Sequence, residues 1–91
     1  MAMISYASVD RIEGNFYVCE VELVPLAQRR AEILEDDQII FIDIPTEKAN
    51  KLLCIEEGDI LIVEHNGTEV FSILGKSDSE KERRIQFLAA L

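Results

Sequence analysis

Apolar and polar residues alternate with a period of two along much of the first three quarters of the chain, a pattern typical of β-strands with one buried face. The first two such runs are residues 4–12 and 16–24, and Gly14-Asn15 between them favours a tight turn. In the second run the odd-numbered residues share one face, so Cys19 is predicted to point into the core. The sequence therefore predicts an N-terminal β-hairpin.

Residues 31–44 contain two apolar stretches on either side of an acidic turn at 35–37. We interpret them as a second hairpin, with a short helix over 26–35 as the alternative. The stretch from Ile39 to Ile42 is apolar on both faces, which is typical of a strand inside a sheet with something covering each side. We therefore expect this strand to be central.

The segment after residue 45 carries the signals of a short helix. Pro45 ends the preceding strand because it cannot donate to a ladder, and Thr46 can cap a helix by accepting from its first N–H groups. Leu52 and Leu53 are expected to pack beneath this helix. We predict that it lies near 46–53.

Asn66-Gly67 is the strongest hairpin signal in the chain, because both residues tolerate the positive φ angles of a tight turn. The predicted strands on either side of it cover residues 60–65 and 69–74. The first of these strands begins just after Gly58, which provides a turn of its own.

Residues 78–91 are predicted to form a C-terminal helix, which two overlapping Ser-x-x-Glu capping patterns begin. Ile85 and Leu88 lie in one stripe of this helix, whereas Phe87 and Leu91 lie well round from it. At 100° per residue the apolar arc covers about 200°, wider than the roughly 100° that one packing surface needs. We therefore expect either the chain's own loops to cover the second side of the helix, or the face around Phe87, Leu88 and Leu91 to contact a partner protein or a second copy of the chain.

These elements predict a mainly β or α+β fold. The expected architecture is a small twisted antiparallel sheet, or an SH3-like or OB-like barrel, with a short helix near 46–53 and a C-terminal helix near 78–91. The chain of 91 residues is expected to form a single domain over 1–91. Both barrel types host many functions, so the fold class selects none of them.

Charge and hydropathy restrict the partners. The net charge of −9 repels phosphate backbones and anionic lipid surfaces, so we expect binding to neither nucleic acid nor membranes. No apolar run approaches the roughly 20 residues of a membrane-spanning helix. The N-terminus lacks the basic start and apolar block of a signal peptide, so a cytoplasmic location is expected.

Candidate catalytic or metal-binding residues are few. His65 is the only histidine, and we interpret it as an exposed residue at a strand end. Asp36, Asp37, Asp43 and Asp59 could supply oxygen ligands to a divalent cation, but their positions are better explained by turn formation. We therefore predict no catalytic residue, no cofactor and no metal ligand.

Cys19 and Cys54 are interpreted as reduced, mostly buried residues rather than nucleophiles, since neither is in a Cys-x-x-Cys pair. Arg11 lies between Asp10 and Glu13 at a strand end. It is expected to orient the turn through a carboxylate, and recognition of a partner's charged groups is the alternative.

Four motifs follow one another along the chain: Asp-Arg-Ile-Glu-Gly at 10–14, an acidic hairpin running into Ile-Pro at 35–45, Glu-Gly-Asp at 57–59, and Arg-Arg-Ile at 83–85. In this order they resemble a bacterial family of short proteins known as domain of unknown function number three thousand and six. Residues 22–30 depart from that family's shorter first hairpin. The resemblance implies a mostly Gram-positive bacterial origin and an association of some members with hydrolase-like domains, but no known activity.

The leading functional hypothesis is a non-catalytic interaction or accessory module that uses the helix face around Phe87, Leu88 and Leu91 and an adjacent sheet edge. The alternative is a hydrolase-type or metal-dependent activity carried by carboxylates at the hairpin turns. A nucleic-acid-binding barrel is the third hypothesis, and the net charge of −9 disfavours it.

Overall fold

The computed structural model describes residues 2–30 and 34–90, which form one five-stranded antiparallel sheet, a C-terminal helix and short 3₁₀ turns. The predicted mainly β or α+β class is confirmed. The regular elements are β1 Met3–Glu13, β2 Phe16–Glu22, β3 Ile39–Pro45, β4 Ile60–His65, β5 Val70–Lys76 and α1 Asp78–Ala90. The strands lie in the order β3-β2-β1-β4-β5.

The sheet is open in the part of the chain that the structure describes. Strands β3 and β5 form its opposite edges and do not pair with each other, so the barrel that we considered is not closed. Both faces are covered instead. Residues Ala49, Leu53 and Ile55 pack on one face, and α1 lies over the other, where Arg84 reaches Glu22 of β2.

The predicted N-terminal hairpin is confirmed. Gly14 makes its turn with a φ of +56°, a conformation that costs a residue without a Cβ very little. The register shifts between Val9 and Arg11, which leaves Asp10 as an extra residue in β1. Val9 bonds instead to the loop before β4, since its N–H donates to the Asp59 carbonyl at 2.9 Å and its carbonyl accepts from Gly58 N–H at 2.8 Å.

Strand β3 pairs with β2 over seven consecutive residue pairs, from Phe16 with Pro45 to Glu22 with Ile39. The expectation that it is central is wrong, because β3 is an edge strand. An apolar run on both faces cannot distinguish the two positions, because the exposed side chains at an edge can also be apolar. Ile40 and Phe41 are 36% and 57% exposed.

Two interpretations of the segment before β3 were open, a second hairpin over 31–44 and a short helix over 26–35, and the structure describes only part of this segment. Leu26–Gln28 is a 3₁₀ turn, and residues 29–30 and 34–35 are not helical, so the helix predicted as an alternative over 26–35 is not formed in its described part. The first strand of the predicted second hairpin falls largely on residues 31–33, which lie outside the described residues.

The short helix predicted near 46–53 is wrong in detail. Two separate 3₁₀ turns occupy the segment, Thr46–Lys48 and Lys51–Leu53. Asn50 caps the second turn, because its side-chain oxygen accepts from Leu52 N–H at 2.9 Å, and this cap divides the segment. Leu53 packs against the core as expected, whereas Leu52 is 87% exposed.

The Asn66-Gly67 prediction is confirmed. The Asn66 side chain accepts from the N–H groups of Thr68 and Glu69 at 2.9 and 2.7 Å, so it closes the loop between β4 and β5. Strand β5 is less regular than β3, because its register against β4 shifts twice. The predicted C-terminal helix is also confirmed as α1, through Ala90.

The apolar core lies on one face of the sheet. Its fully buried members include Val9, Cys19, Ile44, Leu61 and Val63, which come from four neighbouring strands. Among the helices that the structure describes, none has both the length and the apolar composition that a bilayer crossing requires.

Candidate functional site

Arg11 lies at the exposed end of the first hairpin. Its guanidinium pairs with Asp10 at 2.8 Å and also with Glu13, and its side chain is 48% exposed. The hydrogen bond to Glu13, then that to Asp10, raises the pKa of Arg11 above its ordinary value. Both partners lie on β1 itself, so Arg11 holds the local turn and does not bridge to another strand.

The predicted helix surface is only partly described. Leu88 is 66% exposed and Ile85, one turn earlier, is 52% exposed. Phe87 is half-buried, and Leu91 lies outside the described residues. The apolar stripe through Ile85 and Leu88 therefore faces solvent.

Beneath α1 the packing is polar. Glu80 is buried, and Arg84 donates to it from Nε at 2.7 Å, as their spacing of four residues predicts. Arg84 also donates from Nη2 to Glu22 at 2.8 Å, and its Cζ lies 5.2 Å from the centre of the Tyr6 ring. The helix is thus attached to β1 and β2 by charge rather than by apolar contact alone.

Glu22 and Glu80 are the two centres of this ionic network. Glu22 accepts from Arg29 Nε at 2.9 Å in addition to Arg84, and Glu80 accepts from Arg83 Nη2 at 2.7 Å. Burial by itself would raise the pKa of Glu80, but the hydrogen bonds from Arg83 and Arg84 outweigh it, so the pKa is lowered. The network joins the segment after β2, the sheet and α1.

A second ionic cluster surrounds Asp59. The carboxylate is buried and accepts from Lys81 at 2.8 Å, from Lys76 at 3.4 Å and from the N–H of Glu56 at 2.8 Å. Burial would raise the pKa of Asp59, but the bonds from Lys81 and Glu56 N–H outweigh it and lower the pKa. Asp59 therefore acts as a structural anchor at the start of β4.

The carboxylates that we considered as metal ligands are not brought together. Asp36, Asp37 and Asp43 are exposed, whereas Asp59 is buried among lysines. Over residues 2–30 and 34–90 no group of three or more His, Cys, Asp or Glu side chains is arranged to hold a metal ion.

The interpretation of His65 as an exposed residue is wrong, since the side chain is 0% exposed. Nδ1 accepts from Gly67 N–H at 3.0 Å, so the proton is on Nε2, which lies 3.0 Å from Ser5 Oγ. Ser5 in turn donates to the Val24 carbonyl at 3.1 Å. The pair resembles a base and a nucleophile in distance, but both are fully buried and their hydrogen bonds are used to link β1, β4 and the segment after β2.

The two cysteines differ in environment. Cys19 is fully buried as predicted, and burial raises its pKa to about 12. The prediction that Cys54 is buried is wrong, because Cys54 is exposed in a left-handed conformation with a φ of +50° at the end of a 3₁₀ turn. The exposure of Cys54 follows from the geometry of this turn, and the hydropathy of the sequence does not predict that geometry.

The two edges of the sheet are protected differently. At β5 the register against β4 shifts twice, and such irregularities make an edge a poorer template for another strand. At β3 the seven pairs with β2 run without a shift, so the outer row is regular. The regular edge also carries the exposed side chain of Phe41.

A groove of about 740 Å³ opens at the end of β3. Two aromatic side chains and a proline contribute to its wall, and Phe16 is 45% exposed. Its lining residues are Asn15, Phe16, Tyr17, Pro45, Thr46, Glu47, Ala49 and Lys51. The groove therefore continues the surface of the β3 edge.

Comparison with known proteins gives no family: no family model, no curated protein and no solved structure matches the chain. The resemblance to domain of unknown function number three thousand and six stays a prediction. The geometry of the β3 edge and of α1 is therefore the basis for assigning a function.

Proposed function

We propose that this protein is a non-catalytic interaction module that binds another protein along the free edge of β3, with the exposed face of α1 as a second contact surface. The observation that carries the proposal is the β3 edge itself. It is regular over seven residue pairs, and Phe41 on it is 57% exposed. An exposed, regular and apolar edge is a template for pairing with another chain.

The contrast with β5 supports a role for β3 in binding. Proteins that only need to stay monomeric protect edges with bulges, charges or short strands, and β5 carries two such irregularities. Each strand carries one charged side chain, Asp43 on β3 and Lys76 on β5, so the contrast between the two edges lies in the register, which does not shift along β3. An unprotected edge strand exposes the protein to aggregation. Binding of a partner protein would explain why β3 nevertheless remains unprotected.

The exposed stripe of α1 adds a second apolar surface. Leu88 and Ile85 are 66% and 52% exposed, whereas Glu80 and Arg84 attach the helix to the sheet through ionic hydrogen bonds. The helix therefore does not need these side chains for its own packing. They are free to pack against the same partner or a second one.

The experiment compares two matched variants, Phe41→Lys on β3 and Phe71→Lys on β5. Phe71 is 43% exposed on the other edge, so each variant exchanges an exposed phenylalanine for lysine at one edge of the sheet. Tagged protein is recovered from its native cells, and stoichiometric partners are quantified by mass spectrometry. We expect Phe41→Lys to lose the partner and Phe71→Lys to keep it.

Circular dichroism and urea unfolding first establish that both variants are folded. Leu88→Asp then measures the contribution of α1, and we expect a weaker association rather than a complete loss. Equal recovery of the partner by wild type and Phe41→Lys would show that β3 does not carry the interaction.

A further inference from the structure

The hydrogen-bond phase of the β2–β3 ladder shows which backbone groups of β3 point outward. Leu23 N–H donates to the Gln38 carbonyl and Thr46 N–H donates to the Asn15 carbonyl, each at 2.8 Å. Residues of an antiparallel strand alternate between bonding inward and pointing away, so these two bonds fix the alternation. Even-numbered residues of β3 bond to β2, and Ile39, Phe41 and Asp43 present their N–H and C=O groups to the outside.

Not all of these outward groups are available. Ile39 N–H donates to the Asp36 carbonyl in the 3₁₀ turn before the strand, and Pro45 has no N–H. In the described part of the chain no strand pairs with the outer side of β3, so the N–H groups of Phe41 and Asp43 are the donors offered to a partner. The carbonyls beside them are the acceptors.

The charge around β3 selects the partner. Residues 34–48 contain five acidic side chains and one basic side chain, Lys48. All five acidic side chains are exposed, and none of them forms an ion pair with another described residue. They are Glu35, Asp36, Asp37, Asp43 and Glu47. A basic segment would neutralise these charges, whereas a second copy of a chain with net charge −9 would add to the repulsion.

The side chains of β3 define the pattern that such a segment needs. Ile39, Phe41 and Asp43 share the face of the sheet on which α1 lies, since alternate residues point to the same side. Residues of an added strand on that face would lie beside Phe41 and Asp43, so an apolar residue two positions away from a lysine or arginine fits best. Beyond Pro45 the groove that Phe16 and Tyr17 line offers space for a further apolar side chain.

We infer that the β3 edge binds an extended basic segment of a partner protein, which adds to the sheet as a sixth strand. This inference rests on the proposed function and specifies its partner. The backbone groups of Phe41 and Asp43 can form hydrogen bonds with a partner segment of any sequence. The exposed carboxylates favour a partner segment that carries positive charge.

The test uses a fluorescently labelled peptide that repeats Val-Thr-Lys-Thr, so that valine and lysine lie two positions apart on one face of the added strand, with a matched peptide in which glutamate replaces lysine. Binding is measured by fluorescence anisotropy at low salt. We expect the lysine peptide to bind at least about tenfold more tightly than the glutamate peptide, and its binding to weaken as sodium chloride is raised from about 50 to about 500 mM.

Two substitutions at one position separate the backbone from the side chain. Phe41→Thr removes the ring and keeps the outward N–H, whereas Phe41→Pro removes both and leaves the inward ladder to β2 intact. We expect Phe41→Pro to bind the lysine peptide at least about tenfold more weakly than Phe41→Thr. Asp43→Asn should weaken binding several-fold and reduce the salt dependence.

A readout on the wild-type protein keeps the test valid if Phe41→Pro fails to fold. Amide hydrogen exchange at Phe41 and Asp43 should slow when the lysine peptide is added, while exchange at β5 stays unchanged. Equal exchange with and without bound peptide would overturn strand addition at β3.

The failures of the two proposals are distinguishable. If neither peptide binds but Phe41→Lys still loses the cellular partner, the interaction module stands and the basic extended segment is wrong. If light scattering shows a dimer that Phe41→Pro dissociates, the occupant is a second copy and this inference is overturned. If Phe41→Lys changes no association and no peptide binds, both proposals fail.

Discussion

Arg84 of α1 donates a hydrogen bond of 2.8 Å to Glu22 of β2, although 62 positions separate them in the chain. The Glu22 side chain is 8% exposed and also accepts from Arg29, so one carboxylate joins the sheet, the helix and the segment after β2. These ion pairs attach α1 to the sheet, whereas a surface helix is usually attached by its apolar side chains. The apolar stripe of α1 is consequently free to face solvent.

Glu22→Gln is expected to destabilise the protein, because it removes the carboxylate that pairs with Arg29 and one of the two carboxylates that pair with Arg84 in a mostly buried site. Removing one partner of a buried ion pair costs about 2–4 kcal/mol in the free energy of unfolding. The measurement is the urea midpoint at pH 7. The control is Glu13→Gln, which makes the same chemical change at the exposed partner of Arg11, and its midpoint should match wild type. Similar midpoints for the two variants would show that the network contributes little.

Stability should fall as the pH is lowered from 7 to 5, because of His65. Burial lowers its pKa below the ordinary value of 6.5, so the unfolded state binds more protons just below that pH. The stabilisation is complete above pH 6.5 and is lost toward the lowered pKa of the folded state. Urea midpoints at pH 7, 6 and 5 should decrease for wild type and change much less for His65→Gln. A flat wild-type profile over this range would contradict the prediction.

A second loss of stability is expected at lower pH, from Asp59 and Glu80. Their pKa values lie below the ordinary values of 3.8 and 4.5, so the stability that they contribute is present above those values and is lost as the pH falls through the lowered ones. Thermal unfolding between pH 5 and pH 2 measures this phase. Asp59→Asn should lower the melting temperature at pH 5 and have a smaller effect at pH 2. An effect of equal size at both pH values would exclude the ionic explanation.

The two thiols should differ in reactivity in the folded protein. A thiol reagent at pH 7 is expected to modify Cys54 quickly, because that residue is exposed, and Cys19 only after unfolding, because it is buried with a pKa of about 12. Mass spectrometry of the labelled protein should show one modification without urea and two with urea. Cys54→Ser should then react only in urea. Rapid labelling of Cys19 in the native protein would contradict the buried assignment.

Gly58→Ala is expected to cost about 1–2 kcal/mol in the free energy of unfolding, because Gly58 has a φ of +87°, where a Cβ is strained. Its N–H also holds the bulge of β1 by donating to the Val9 carbonyl. Gly75→Ala is the matched control, since Gly75 has no positive φ and a Cβ there would meet nothing within 4 Å. We expect a change of no more than about 0.5 kcal/mol for Gly75→Ala. Equal midpoints in urea would rule out conformational strain at Gly58.

Local signals were sufficient for most elements. The turns at Gly14 and at Asn66-Gly67, the strand over 60–65 and the C-terminal helix all depend on neighbours within a few residues, and the structure contains each of them. The short helix near 46–53 was predicted less well. Thr46 forms no side-chain cap, because it is the first residue of its turn and Pro45 precedes it, whereas Asn50 caps the second turn.

The candidate site could be predicted only in part. The sequence predicts an apolar surface on α1 from helical spacing, and the same spacing of four residues explains why Glu80 and Arg84 meet in the structure. It does not indicate Glu22 as the second partner of Arg84, because that contact depends on how the helix crosses the sheet. The edge position of β3 was missed for the same reason.

The positions of the described strands and of the helix follow from local sequence, since alternation, turn residues and caps act over a few positions. The order of the strands, the burial of His65, the exposure of Cys54 and the choice of apolar residues that remain on the surface became visible only in the folded protein. The physical reason is that these properties depend on contacts between residues far apart in the chain. Ile39 to Ile42 illustrates this, because one apolar pattern fits both a covered central strand and the open edge that β3 forms.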